Sequence, residues 1–159
     1  MEQRERALEW FLRIRDETLA LEAEKARIQD LRLQAEGPRG QSYGSCGHGS
    51  GKGDPSAMLL AAMQAEHDLD IREAKHILRI ELATWVLYGY DGRGGLAKTR
   101  TSADADCICG YYLLGMSWRE VADEMVRPES KDGPQWCRRR AYRAFEFIDR
   151  YGAGRLALS

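Results

Sequence analysis

Residues 2–36 contain no proline and no glycine and are dense in Glu, Arg, Ala and Leu. Such a stretch is a single long helix, close to 50 Å from end to end at about 1.5 Å per residue. Leu12, Leu19, Ala26 and Leu33 recur every seventh residue, and Ile14, Leu21 and Ile28 form a second series with the same repeat. The two series fall on separate flanks, with Leu8 and Phe11 at the wider N-terminal end. A seven-residue repeat means side-by-side packing against other helices, and two flanks mean more than one neighbour. A solitary helix of this length has nowhere to bury either stripe. Lys25 and Arg32 lie between the stripes, where they can snorkel or meet acids.

The next segment, 37–53, reads GPRGQSYGSCGHGSGKG. Its glycine and serine content and lack of apolar period predict a flexible linker. It is not a phosphate loop: GHGSGKGD puts Gly after the Lys, where that motif needs Ser or Thr, and no strand precedes it. A second long helix is expected over 54–88, capped by Asp54 with Pro55 in its first turn. Met58, Ala61, Ala62, Ala65, Leu69, Arg72, His76, Arg79 and Ala83 trace one side of it. Ile71, Leu78, Leu82, Trp85 and Val86 supply apolar surface elsewhere. The simplest arrangement is a long antiparallel helical hairpin. His67 and His76 form no metal-binding pattern and read as solvated or packed side chains.

The chain carries 24 Lys+Arg against 25 Asp+Glu, a net charge of -1, so any attraction to nucleic acid has to be local. No apolar run reaches the roughly 18 residues of a membrane-spanning helix. The charged start MEQRERALEW lacks a secretion signal, and the cytoplasm is the expected location. Cys46, Cys107, Cys109 and Cys137 follow no zinc spacing, and Cys46-Gly47-His48 is read as a free thiol in a linker rather than a metal site. No cofactor and no catalytic set is expected, because no carboxylate pair or Cys–His pair falls on facing elements.

A second glycine-rich break, 89–101, reads GYDGRGGLAKTRT and is taken as a linker. Beyond it, 102–151 forms the C-terminal domain. Ser102, with Thr101 as competitor, caps a helix over roughly 103–114 whose apolar side is Cys107, Ile108, Tyr111, Tyr112 and Leu114. Gly115 ends it. Ser117-Trp118-Arg119-Glu120 is a capping box, and the short helix after it presents Trp118, Val121, Ala122 and Met125. Ala122 is small where two crossed helices approach closely. After a turn, Asp132-Gly133-Pro134 starts the last helix. That helix buries Trp136 or Cys137, then Ala141, Ala144, Phe145 and Ile148. Trp118 and Trp136 read as core residues.

This layout is all-α and ends in a helix-turn-helix. The last helix carries Arg138, Arg139, Arg140 and Arg143 in its first half, with Arg139 and Arg143 one turn apart on a shared side. Recognition helices enter the major groove with their N-terminal part, where arginine reads guanine edges or grips phosphate. Gln135 reaches a base edge in such an arrangement and Lys131 a phosphate.

The run Tyr111-Tyr112-Leu113-Leu114-Gly115-Met116-Ser117-Trp118-Arg119-Glu120-Val121-Ala122 resembles the signature of the RinA/ArpU-like late-gene regulators encoded by phages. Their C-terminal domain is in turn similar to region four of bacterial sigma factors. Tyr111 stands where that signature usually has Arg. The resemblance implies a sequence-specific transcriptional regulator of phage or prophage origin. It would bind double-stranded DNA through Lys131, Gln135, Arg138, Arg139, Arg140 and Arg143. Its implied partners are a second copy, paired through the long helices, and bacterial RNA polymerase. Two alternatives share the same outline. One is a DNA-packaging adaptor like a small terminase subunit, assembled as a ring. The other is a helical interaction module without DNA contact, whose basic face is covered by acids.

Overall fold

The computed structural model describes residues 6–36, 54–125 and 132–159. The 37–53 linker with Cys46-Gly47-His48, and Lys131 in the turn before the last helix, lie outside the described residues. Every regular element among the described residues is helical: α1 (Ala7–Glu36), α2 (Pro55–Tyr88), α3 (Gly95–Thr99), α4 (Ser102–Ile108), α5 (Trp118–Met125), α6 (Gly133–Tyr151) and α7 (Ala153–Ala157), with a π-helical turn, Cys109–Leu113, running on from α4. None of these helices is long and apolar enough to cross a membrane. The chain divides into two compact units, one of Met1–Leu19 with Lys75–Ser159, the other Ala20–Ala74.

In the first unit the core gathers around Phe11. Its ring lies 5.3 Å from Phe145 and 6.3 Å from Tyr112, and Tyr112 meets Phe145 edge-on at 5.1 Å. Edge-to-face contact suits rings whose faces are negative and edges positive. Around them are buried Ala83, Val86 and Leu87 of α2, Leu96 of α3, Ala105 and Ile108 of α4, Ile148 of α6 and Leu156 of α7. A smaller cluster of Cys107, Val121, Ala122 and Cys137 joins α4, α5 and α6. There α5 and α6 come close enough that a side chain at Gly133 would meet the Ala122 methyl at 3.1 Å.

Among the described residues of the second unit the buried side chains are few: Leu21, Ile28, Ala62 and Leu69, with Ala65 half-buried. Lys25 pairs with Glu73 and Arg32 with Glu66, so a step of seven forward on α1 is a step of seven back on α2. Of the two heptad series on α1, Ile14, Leu21 and Ile28 are buried, while Leu12, Leu19, Ala26 and Leu33 remain exposed.

Three expectations about the core change. The 89–101 stretch contains α3 and puts Leu96 fully inside the main core. Its glycines serve close packing: Gly95 has φ +65°, and a Cβ there would overlap the Gly89 nitrogen at 2.5 Å. Leu114, placed on the apolar side, is 61% exposed, and Leu113 is buried in its stead. The π-helical turn is the cause, because it takes an extra residue and rotates the residues beyond it about the helix axis. Trp136 lies outside the core at 38% exposure, and Cys137 fills the interior position.

Candidate nucleic-acid interface

The short helix α5 starts as its capping box requires. The Ser117 amide donates to Glu120 Oε2 at 2.6 Å and the Glu120 amide to Ser117 Oγ at 3.3 Å. The bond accepted from Ser117 holds the Glu120 carboxyl below its usual range. At α4 the cap is Thr101 rather than Ser102, its hydroxyl accepting from the Asp104 amide at 3.3 Å.

The turn leading into α5 is clamped from α1. Arg15 Nη1 donates to the carbonyls of Tyr111 and, at 2.9 Å, of Met116. Its guanidinium sits 3.7 Å from the Tyr111 ring centre, and Tyr111 stacks on Trp118 at 3.9 Å with planes 7° apart. Arginine, tyrosine and tryptophan form one pile that fixes where α5 begins. Nothing in the spacing of α1 singled out Arg15.

The last helix is fixed by a buried acid. Asp104 is 1% exposed and accepts from Arg100 Nε at 2.8 Å and Arg140 Nε at 2.7 Å. Arg140 Nη2 also donates to Thr101 Oγ1 at 2.7 Å, and its guanidinium lies 4.6 Å from the Trp136 ring. Arg100 Nη1 donates to the Arg143 carbonyl at 3.2 Å. The N-terminus of α4 is thereby tied to the middle of α6. The resemblance places Arg140 on DNA, but its side chain is committed to Asp104 and Thr101.

The other α6 candidates face outward. Cys137, Ala141, Ala144, Phe145 and Ile148 point into the core. Successive residues turn by about 100°, so Gln135, Arg139 and Arg143 project from the opposite side. All three are exposed, and neither Arg139 nor Arg143 pairs its side chain with a carboxylate among the described residues. Arg138 is exposed on a flank with its guanidinium 5.6 Å from the Tyr142 ring; the bond to Tyr142 pushes its pKa up and keeps it charged. No acid occurs in α6 before Glu146.

The two interior thiols offer no chemistry here. Burial pushes both Cys107 and Cys137 up, leaving them protonated at neutral pH. Compared with family models, curated proteins and solved structures, the chain finds no match in any of the three.

Proposed function

We propose that the chain is a sequence-specific DNA-binding transcriptional regulator of phage or prophage origin, working in the cytoplasm. In this reading α5 and α6 are the two helices of a helix-turn-helix like that of sigma region four, and α6 is the recognition helix. The observation that carries it is the face formed by Gln135, Arg139 and Arg143: exposed, basic, and unpaired with described acids. Arg139 and Gln135 read base edges, Arg143 and Arg138 grip phosphate, and Arg140 sets the pitch of the helix through Asp104. Lys131 joins the phosphate contacts. Docking rather than catalysis is the whole mechanism.

The seven-residue ion-pair register of Lys25–Glu73 and Arg32–Glu66 supports the reading of the long helices as an antiparallel hairpin. The hairpin pairs with a second copy and offers a surface to RNA polymerase. Two recognition helices then meet half-sites about 34–36 Å apart, or a multiple of that. The test is fluorescence anisotropy on phage and host promoter fragments. Arg139→Ala is expected to cost about 1–3 kcal/mol of specific binding with helicity unchanged. Arg93→Ala, exposed on the turn before α3, is the control and leaves affinity as it was. Equal affinities for the wild type and Arg139→Ala would overturn the assignment of this face.

A further inference from the structure

The first turns of α2 pose a problem that the chain does not solve alone. Residues 57–65 read AMLLAAMQA and carry no charge. A helix apolar all round belongs in an interior. Yet Leu59 is 41% exposed, Leu60 67% and Met63 55%, while Ala62 is fully buried. Ala57 and Ala61 are exposed as well, one turn apart, so another helix can approach the backbone closely. These residues all belong to the second unit, whose interior among the described residues is Leu21, Ile28, Ala62 and Leu69.

We infer that 57–65 is the contact through which two copies of this chain pair, each α2 crossing its counterpart about a two-fold axis. In a two-fold contact the same patch meets itself, and a side chain on the axis meets its own copy, so a charge there would face its like. The 57–65 segment is free of charge, whereas the remaining surface of the unit is crowded with it: Glu22, Arg27, Asp30, Asp68, Asp70 and Arg72 are all exposed. A partner chosen by charge has nothing to recognise in 57–65. The connecting sequence 37–53 has Tyr43 as its one large apolar side chain. Leu59, Leu60 and Met63 with their alanines supply the apolar centre of such a contact, and a symmetric pair doubles what one copy buries toward the order of 1,000 Å² needed for specificity. The contact rests on the proposed pairing of two copies and gives that pairing a location; it stands or falls without DNA.

The test is the mass of the full-length chain in solution, measured by sedimentation equilibrium in the absence of DNA. The wild type is expected at twice the 18.0 kDa of one chain. Leu60→Asp with Met63→Asp should weaken association at least about 100-fold, since truncations at the centre of an interface have the largest effects. The altered side chains face solvent in the single chain, so far-ultraviolet circular dichroism should stay the same. If that variant loses helicity, Leu60→Ser with Met63→Ser supplies the comparison. In a Cys46→Ser background, Leu60→Cys should cross-link two chains on mild oxidation. A monomeric wild type at tens of micromolar, a ring, or a folded double variant that stays dimeric would each overturn the inference. So would a dimer broken instead by Leu12→Asp with Leu19→Asp. Dimerisation without DNA binding would sink the regulatory reading and leave this contact standing.

Discussion

The two units use the same kinds of side chain to opposite effect. In the first, Phe11, Tyr112 and Phe145 enclose one another, and Asp104 draws Arg100 and Arg140 together. In the second, the large apolar side chains Leu33, Leu59, Leu60, Met63 and Ile71 are all exposed, and four of the described residues are buried. Apolar content therefore does not decide enclosure by itself. What differs is the number of elements that converge. Six helices and a π-helical turn contribute to one core, two helical segments to the other. The first unit can hold a surface rigid, as the proposed reading of DNA would require. Both units leave large apolar side chains exposed, Ile77, Leu78 and Leu82 in the first among them, but the second has little interior of its own among the described residues.

The contrast predicts unequal responses to equal damage. Phe145→Ala should cost about 3–5 kcal/mol and lower the whole first unit together, because the ring touches both Phe11 and Tyr112. Urea denaturation followed by near-ultraviolet circular dichroism measures it. A loss below about 1 kcal/mol would mean that this core is not the organising one. Leu69→Ala should cost about 2 kcal/mol, the low end for such a change, because a two-helix interior collapses onto the gap. Amide exchange should report the loss within 20–74 and leave α4 and α6 protected; loss spread equally over both units would erase the distinction between them.

The smallest effect is set by pH. The Ser117 amide depresses the folded-state pKa of Glu120, so its contribution to stability is complete above the ordinary carboxylate value. It is lost as pH falls through the depressed one. The stability difference between the wild type and Glu120→Gln should therefore be present at neutral pH and fade below about pH 4. A difference that stays constant through the acid range would remove the charge from the explanation.

Much of this was legible in the sequence because it rests on local rules. The absence of breakers marked α1, Asp54 capped α2 through the Ser56 amide at 3.0 Å, and Ser117–Glu120 formed both bonds of its box. The departures come from non-local geometry. Glycines in 89–101 have the same composition whether the backbone is loose or tightly folded against itself, and only Leu96 in the core separates the two cases. A π-helical turn leaves no mark in a hydrophobic period, so Leu113 and Leu114 exchange places. The run Arg138-Arg139-Arg140 named the basic helix but not the division of labour within it. That depends on Asp104, 36 residues away from Arg140, which the chain brings within 2.7 Å. Arg15 was invisible because its partners are main-chain carbonyls in another element.

The central proposal is that the outward face of α6 lies along a duplex. The most direct measurement is the salt dependence of DNA binding by the wild type and Arg143→Ala on the same fragment. Log affinity should fall linearly with log salt, and losing one phosphate contact should make the slope shallower by about 0.9. No binding at low salt with about 1 µM protein, or identical slopes for the two proteins, would contradict the account.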